Sequence, residues 1–254
     1  MTVPAEPLIE TRGVSKRFGG VQAVSEVDLT LDPGALRCII GPNGAGKSTF
    51  FKLLLGSIKP DTGTIYFDGR DVTRFEPHRR VHLGIGVKFQ NLAVYTALTV
   101  RHNLFLPLRH QFGRREIESE IARMLARLNL AGTEHQIAGS LAHGQKQWLA
   151  IGMALATKPR LLLLDEPTAG MGPEETEATV RLIRAVNDDG IAAIVVEHDM
   201  AFVRQLGAPV TVMHYGRIFA EGTLAEIERH EDVRRIYLGT ARLERPRRLK
   251  DRRT

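Results

Sequence analysis

The chain has 254 residues, 43% hydrophobic and 25% charged, a globular composition long enough for one large domain or one domain with a smaller helical insert. No apolar run approaches the roughly 18 residues that a membrane-spanning helix needs, the opening MTVPAEPLIE carries no signal-peptide pattern, and the single cysteine, Cys38, excludes an intramolecular disulfide and suits the cytosol. The formal charge of +6 does not describe a nucleic-acid binder: residues 242–254 hold seven Lys/Arg and two Asp/Glu, so most of the excess is a short basic tail after an expected domain spanning 1–241.

In chain order, apolar segments predict strands near 8–14, 24–31, 36–40, 64–67, 86–89, 161–165, 192–197, 210–214 and 218–221. Helices are expected after Gly46, Thr99, Arg114, Gly144, Pro173 and Met200, with Thr99 and Thr223 as N-caps. This alternation predicts an α/β fold with a largely parallel sheet. Residues 99–157 carry no strand pattern and read as a helical subdomain inserted between two strands of the core.

The segment Gly41-Pro42-Asn43-Gly44-Ala45-Gly46-Lys47-Ser48 fits the phosphate-binding loop pattern G-x-x-x-x-G-K-[ST], here between an apolar strand and a helix opening at Ser48. That context is what the motif needs. Glycines let backbone N–H groups turn inward around phosphate oxygens, and the helix N-terminus adds partial positive charge. Lys47 is expected to reach the β- and γ-phosphates of ATP, and Ser48 to ligate Mg²⁺, with Thr49 next to it. A second signal is Leu161-Leu162-Leu163-Leu164-Asp165-Glu166-Pro167, a buried-strand pattern that delivers two carboxylates at its C-terminal end, where ligands bind in such sheets. Asp165 is expected to hold Mg²⁺ through water, and Glu166 to polarise the attacking water.

About 20 residues before Asp165 stands Leu141-Ala142-His143-Gly144-Gln145, which resembles the LSGGQ signature of ABC ATPases. Gln90, Phe18 and His198 then fall, in the family's order, at the Q-loop, at the aromatic that stacks on adenine and at the switch histidine. The resemblance covers nearly the whole chain, from Leu8 to about Gly239. It implies a P-loop NTPase core with a mainly parallel sheet, an N-terminal antiparallel β subdomain and an inserted helical subdomain. It also implies a dimer in which each ATP lies between one subunit's P-loop and the signature segment of the other. In that reading His198 bonds the γ-phosphate, Gln90 contacts Mg²⁺ and the water, and Asn91 to Leu104 links the site to a transmembrane partner.

Three positions depart from the pattern. The signature serine is Ala142, which removes a hydrogen bond to a charged group worth about 1.5–3 kcal/mol. The signature's first glycine is His143, which either donates to phosphate when protonated or faces outward when neutral. The loop after Glu166 reads Ala169-Gly170-Met171-Gly172, where many members carry Asp at the last position. Lys47, Asp165, Glu166 and His198 are all present, so active hydrolysis is expected.

The segments from His143 to Leu149, Ala169 to Met171 and Val196 to Met200 look like the urea-type branch of the branched-chain amino acid importer ATPases. The stretch from Ala220 to Gly239 also occurs in lipopolysaccharide-export ATPases, and a soluble non-transport ABC ATPase is the remaining alternative. The importer resemblance implies a homodimer or a heterodimer with a sibling ATPase, two membrane-spanning permeases and a substrate-binding protein. It places the chain at the cytoplasmic face of the cell membrane and implies no nucleic-acid partner. Trp148, on the helix after the signature, is expected to pack rather than to contact nucleotide.

Overall fold

The computed structural model describes residues 6–90, 93–109, 111–113 and 115–241. The basic tail, Arg114, Asn91 and Leu92 lie outside the described residues. In chain order the first elements are β1 (Ile9–Phe18), β2 (Val21–Leu31), β3 (Leu36–Ile40), α1 (Lys47–Leu55), β4 (Thr62–Phe67), β5 (Arg70–Asp71), α2 (Pro77–His82) and β6 (Ile85–Lys88). A helical stretch follows: α3 (Val100–Leu108), α4 (Ile117–Arg127), a 3-10 turn at Ala138–Ser140 and α5 (His143–Leu155). The chain continues through β7 (Leu161–Asp165), α6 (Pro173–Asp188), β8 (Ala192–Val196), α7 (Met200–Leu206), β9 (Val210–His214), β10 (Arg217–Gly222), α8 (Leu224–Arg229) and α9 (Glu231–Ala241).

Two sheets organise these elements. Strands β2-β1-β4-β5 form an antiparallel sheet, and β10-β9-β3-β8-β7-β6 form a larger one. The larger sheet is parallel except at its β10 edge. Burial on both faces explains its run-like strands. Leu161 and Leu163 join the cluster under α1 and the antiparallel sheet, while Leu162 and Leu164 join the cluster with α3, α4 and α5. Each fully buried leucine is worth about 1.5–3 kcal/mol, so this strand fixes the position of Asp165 and Glu166 at its end.

Arg80, fully buried on α2, ties the phosphate-loop helix to the antiparallel sheet. Its guanidinium donates to the carbonyls of Leu53 (2.8 Å) and Leu54 (2.6 Å) at the end of α1, and to those of Val72 (2.7 Å) and Thr73 (3.1 Å). Burial pushes its pKa down to about 10. A cation on the last carbonyls of α1 satisfies acceptors that a helix C-terminus leaves open.

The observed elements refine several sequence expectations. β1 extends to Phe18 and β2 begins at Val21, because Arg17 and Phe18 pair with Gln22 and Val21 beyond register shifts. α5 begins at His143, one residue before the expected start at Gly144. β5, α2 and α9 were not predicted: β5 is two residues long, and the six residues of α2, PHRRVH, carry no apolar stripe. Thr99 and Thr223 do cap their helices, accepting from the backbone N–H of His102 and Glu226.

Candidate active site

The site lies at the C-terminal ends of β3, β6, β7 and β8. After β3 the chain turns through the phosphate loop, and Gly46 caps α1 in the left-handed region at φ 99°. A Cβ at Gly46 would overlap the Ala23 carbonyl of β2, and the Gly216 N–H donates to the Ala45 carbonyl at 2.9 Å. Strand β2 and the β9–β10 turn therefore clasp the loop from two sides. Lys47 is buried, and its Nζ donates to the carbonyls of Gly41 (2.6 Å) and Pro42 (3.1 Å). Burial lowers its pKa, opposed by the charges of Glu166 and Asp165. Ser48 is exposed at the mouth, whereas Thr49 is partly covered.

Asp165 is buried at the end of β7. Burial first, then the adjacent Glu166 charge, raises its pKa to about 6, with Lys88 and Lys47 pulling it back. Glu166 follows at φ 45°, a left-handed conformation uncommon for a side-chain-bearing residue. Its N–H donates to the Val196 carbonyl of β8 at 2.9 Å. Two expected partners meet its carboxylate: the Gln90 amide donates at 2.9 Å, and His198 Nδ1 stands 3.4 Å away. The structure thus gathers Glu166, Gln90 and His198, which are up to 108 positions apart in the chain. With its nitrogen on Glu166, Gln90 has its carbonyl oxygen as the group able to meet a cation. That oxygen, the Ser48 hydroxyl and the Asp165 carboxylate are hard oxygen donors of the kind Mg²⁺ takes.

Phe18 ends β1 at the tip of the β1–β2 hairpin, half exposed, with Lys16 Nζ 5.6 Å from its ring centre. The signature segment lies apart from this group, at the start of α5. Leu141 is buried, and Ala142 occupies the N-cap without a side-chain acceptor. Gln145 supplies half of a capping box by accepting from the Ala142 N–H at 3.1 Å. His143 is exposed and makes a contact that the sequence did not suggest. Its Nε2 is 2.9 Å from the Ala169 carbonyl, and Gln147 Nε2 reaches the same carbonyl at 3.3 Å. The ring therefore engages this chain's own loop after Glu166. Gly144 packs against the Glu175 carboxylate, which a Cβ would overlap, and Glu175 accepts from the Gly172 N–H at 3.1 Å. Trp148 donates to Thr179 at 2.9 Å, a packing contact between α5 and α6.

Lys88 and Glu197 were missed by the sequence reading. Each was absorbed into an apolar strand pattern, where a charge at a strand end is the signal that finds it. Both are 1% exposed. Lys88 Nζ donates to the carbonyls of Asp165 (3.1 Å) and Glu166 (2.9 Å), and burial depresses its pKa to about 8. Glu197 accepts from the N–H (3.2 Å) and hydroxyl (2.7 Å) of Thr168 and from the His198 N–H (3.1 Å).

A phosphate loop at one strand end, with an acid pair beside a glutamine and a histidine on its neighbours, defines a nucleotide hydrolase. The family model described as ABC transporter matches residues 24–169. BraF of Pseudomonas aeruginosa, a high-affinity branched-chain amino acid transport ATP-binding protein, is 32% identical over 93% of this chain and 100% of its own length. A crystal structure of a nucleotide-free ATP-binding cassette from an ABC transporter superposes with a TM-score of 0.83 at 30% identity, covering 91% of this chain and 98% of that one. A dimeric cassette in a post-hydrolysis state, bound to ADP and Pi, superposes at 0.77 with 26% identity over 85% of this chain and 98% of its own. The chain belongs to the ABC transporter ATP-binding family, and it is an ATPase that powers transport. Among the described residues no helix is long and apolar enough to cross a membrane.

Proposed function

We propose that this chain hydrolyses Mg-ATP as one half of a head-to-tail dimer, formed with a second copy or a sibling ATPase. The dimer sits at the cytoplasmic face of the cell membrane against two permease subunits, and drives import of branched-chain amino acids, urea or a related small polar solute. The importer assignment draws on the full-length similarity to BraF. The observation that carries the chemistry is Glu166, held at the end of a buried strand with Gln90 and His198 on its carboxylate.

In this reading the phosphate-loop amides and Lys47 bind the β- and γ-phosphates, and the exposed Phe18 ring covers the adenine. Mg²⁺, held by Ser48, Gln90 and Asp165, supplies charge neutralisation on the phosphates. Glu166 accepts hydrogen bonding from the attacking water and polarises it, while His198 steadies the γ-phosphate. Residues Leu141 to Gln145 of the second subunit close over the nucleotide, with the N-terminus of α5 directed at its phosphates.

Replacing Glu166 by Gln removes the carboxylate and keeps the size, so hydrolysis should fall about 100-fold or more while nucleotide binding persists. The reading fails if the purified dimer with its membrane partner hydrolyses ATP no faster than that Glu166→Gln control.

A further inference from the structure

Two buried charges flank the catalytic group without belonging to the phosphate, metal or signature sets. Lys88 ends β6, next to β7, and its ammonium spans two consecutive carbonyls, those of Asp165 and Glu166. The second is the carbonyl of the residue held at φ 45°. Gln90, two residues further along the same segment, holds the carboxylate of that residue. One strand end therefore grips Glu166 by both its backbone and its side chain. On the other flank, Glu197 follows β8 with its own N–H on the Ile39 carbonyl at 3.1 Å. One of its oxygens takes both donors of Thr168, and the other takes the His198 N–H.

Burying charges is costly, and apolar replacements of buried ion pairs are often neutral or stabilising. Stability is therefore a weak reason for a lysine and a glutamate, each 1% exposed, to stand at these strand ends. Their hydrogen bonds give a different reason. A left-handed glutamate persists only where its surroundings over-determine it. Lys88 fixes the peptide on which Glu166 turns, and Glu197 fixes the start of the next loop together with the histidine that faces Glu166.

We infer that Lys88 and Glu197 are positioning residues for hydrolysis: Lys88 clamps the Asp165–Glu166 turn, and Glu197 locks Thr168 to His198, so that the carboxylate and the imidazole meet at one point. Neither residue touches nucleotide in this scheme. The inference rests on Glu166 being the group that polarises water.

The test uses the full-length chain at a concentration where hydrolysis per chain no longer rises. Lys88→Met keeps the side-chain length and removes the donor. It should lower kcat about 10- to 100-fold, the cost of a small misplacement of a catalytic group, with KM for ATP and the affinity for a fluorescent ATP analogue each changed by less than about threefold. Adding Lys88→Met to Glu166→Gln should lower the single-turnover rate no further, because a clamp has nothing left to position. Glu197→Gln cannot accept equally from Thr168 and His198, so it should also lower kcat with KM kept, and it serves as the second variant if Lys88→Met does not fold. The inference is overturned if kcat is unchanged, if KM and affinity carry the loss, or if the double variant loses the full Lys88→Met factor again. A normal rate in Lys88→Met beside an inactive Glu166→Gln would sink the clamp alone. An active Glu166→Gln would instead sink the reading on which it rests.

Discussion

The phosphate loop and the signature segment are both helix N-termini, and they are anchored in opposite ways. The phosphate loop issues from a strand buried on both faces. Strand β2 and the Gly216 turn clasp it, and its lysine is bonded to its own carbonyls. The signature helix starts on an alanine that cannot cap it. Its first residue reaches sideways to Ala169, and the Glu175 carboxylate lies against Gly144. A carboxylate beside a helix N-terminus offsets the partial positive charge there. The first region is set by the sheet, and the second by a few hydrogen bonds to a loop 26 residues on. The phosphate site is thus rigid within the chain, whereas the signature half depends on the loop that follows the chain's own Glu166.

This contrast can be broken most decisively at Gly46. Its φ of 99° and the Ala23 carbonyl leave no room for a side chain. Gly46→Ala should displace the loop and weaken binding of a fluorescent ATP analogue by about 100-fold or more, as several charge-assisted hydrogen bonds are lost together. Near-normal binding would show that the clasp from β2 is dispensable. His143→Ala probes the other half and should act less strongly. It deletes one hydrogen bond, worth about 0.5–1.5 kcal/mol, so hydrolysis by the assembled dimer should change about 3- to 10-fold. Affinity of the isolated chain for the analogue should stay within about twofold, because His143 lies away from its own phosphate loop. Equal losses in both assays would erase the distinction between the halves.

Cys38 gives the smallest expected effect and tests the rigidity of the sheet beneath the phosphate loop. Burial, aided by the Glu197 charge, pushes its pKa up to about 12 from an ordinary 9.0. At pH 8 the native thiol should resist iodoacetamide, and mass spectrometry should find alkylation only after denaturation. The sign for stability follows from proton binding. The folded state holds this proton more tightly than the unfolded chain, so the thiol's contribution is complete below pH 9 and is lost as pH rises towards 12. Rapid alkylation of native protein at pH 8 would mean that β3 opens readily.

The site was legible in the sequence where its chemistry is local. The eight residues from Gly41 to Ser48 specify their own turn, because glycine backbone freedom and the helix start act within one loop. Four leucines ending in Asp165 and Glu166 specify a buried strand with acids at its tip. Gln90 and His198 were legible only by their spacing from these motifs, and the structure brings both to Glu166. The contact that His143 makes within its own chain was not legible, for a physical reason. The acceptor it meets is the Ala169 carbonyl of its own chain, 26 positions on, and no local pattern points to that pairing.

By itself, the sequence determined the order of the longer strands and of most helices, the phosphate loop and the acid pair, since these follow from periodicity and from backbone freedom at single residues; β5, α2 and α9 were left to the structure. Only the tertiary structure decided which groups hold them. Lys88 reaches Glu166 across 78 positions because β6 and β7 run parallel in adjacent places, and Glu197 reaches back 29 positions to Thr168 because β8 lies on the other side of β7. No local pattern encodes such pairings. They arise when the sheet closes and the two charges, removed from water, must find partners at the strand ends that meet there.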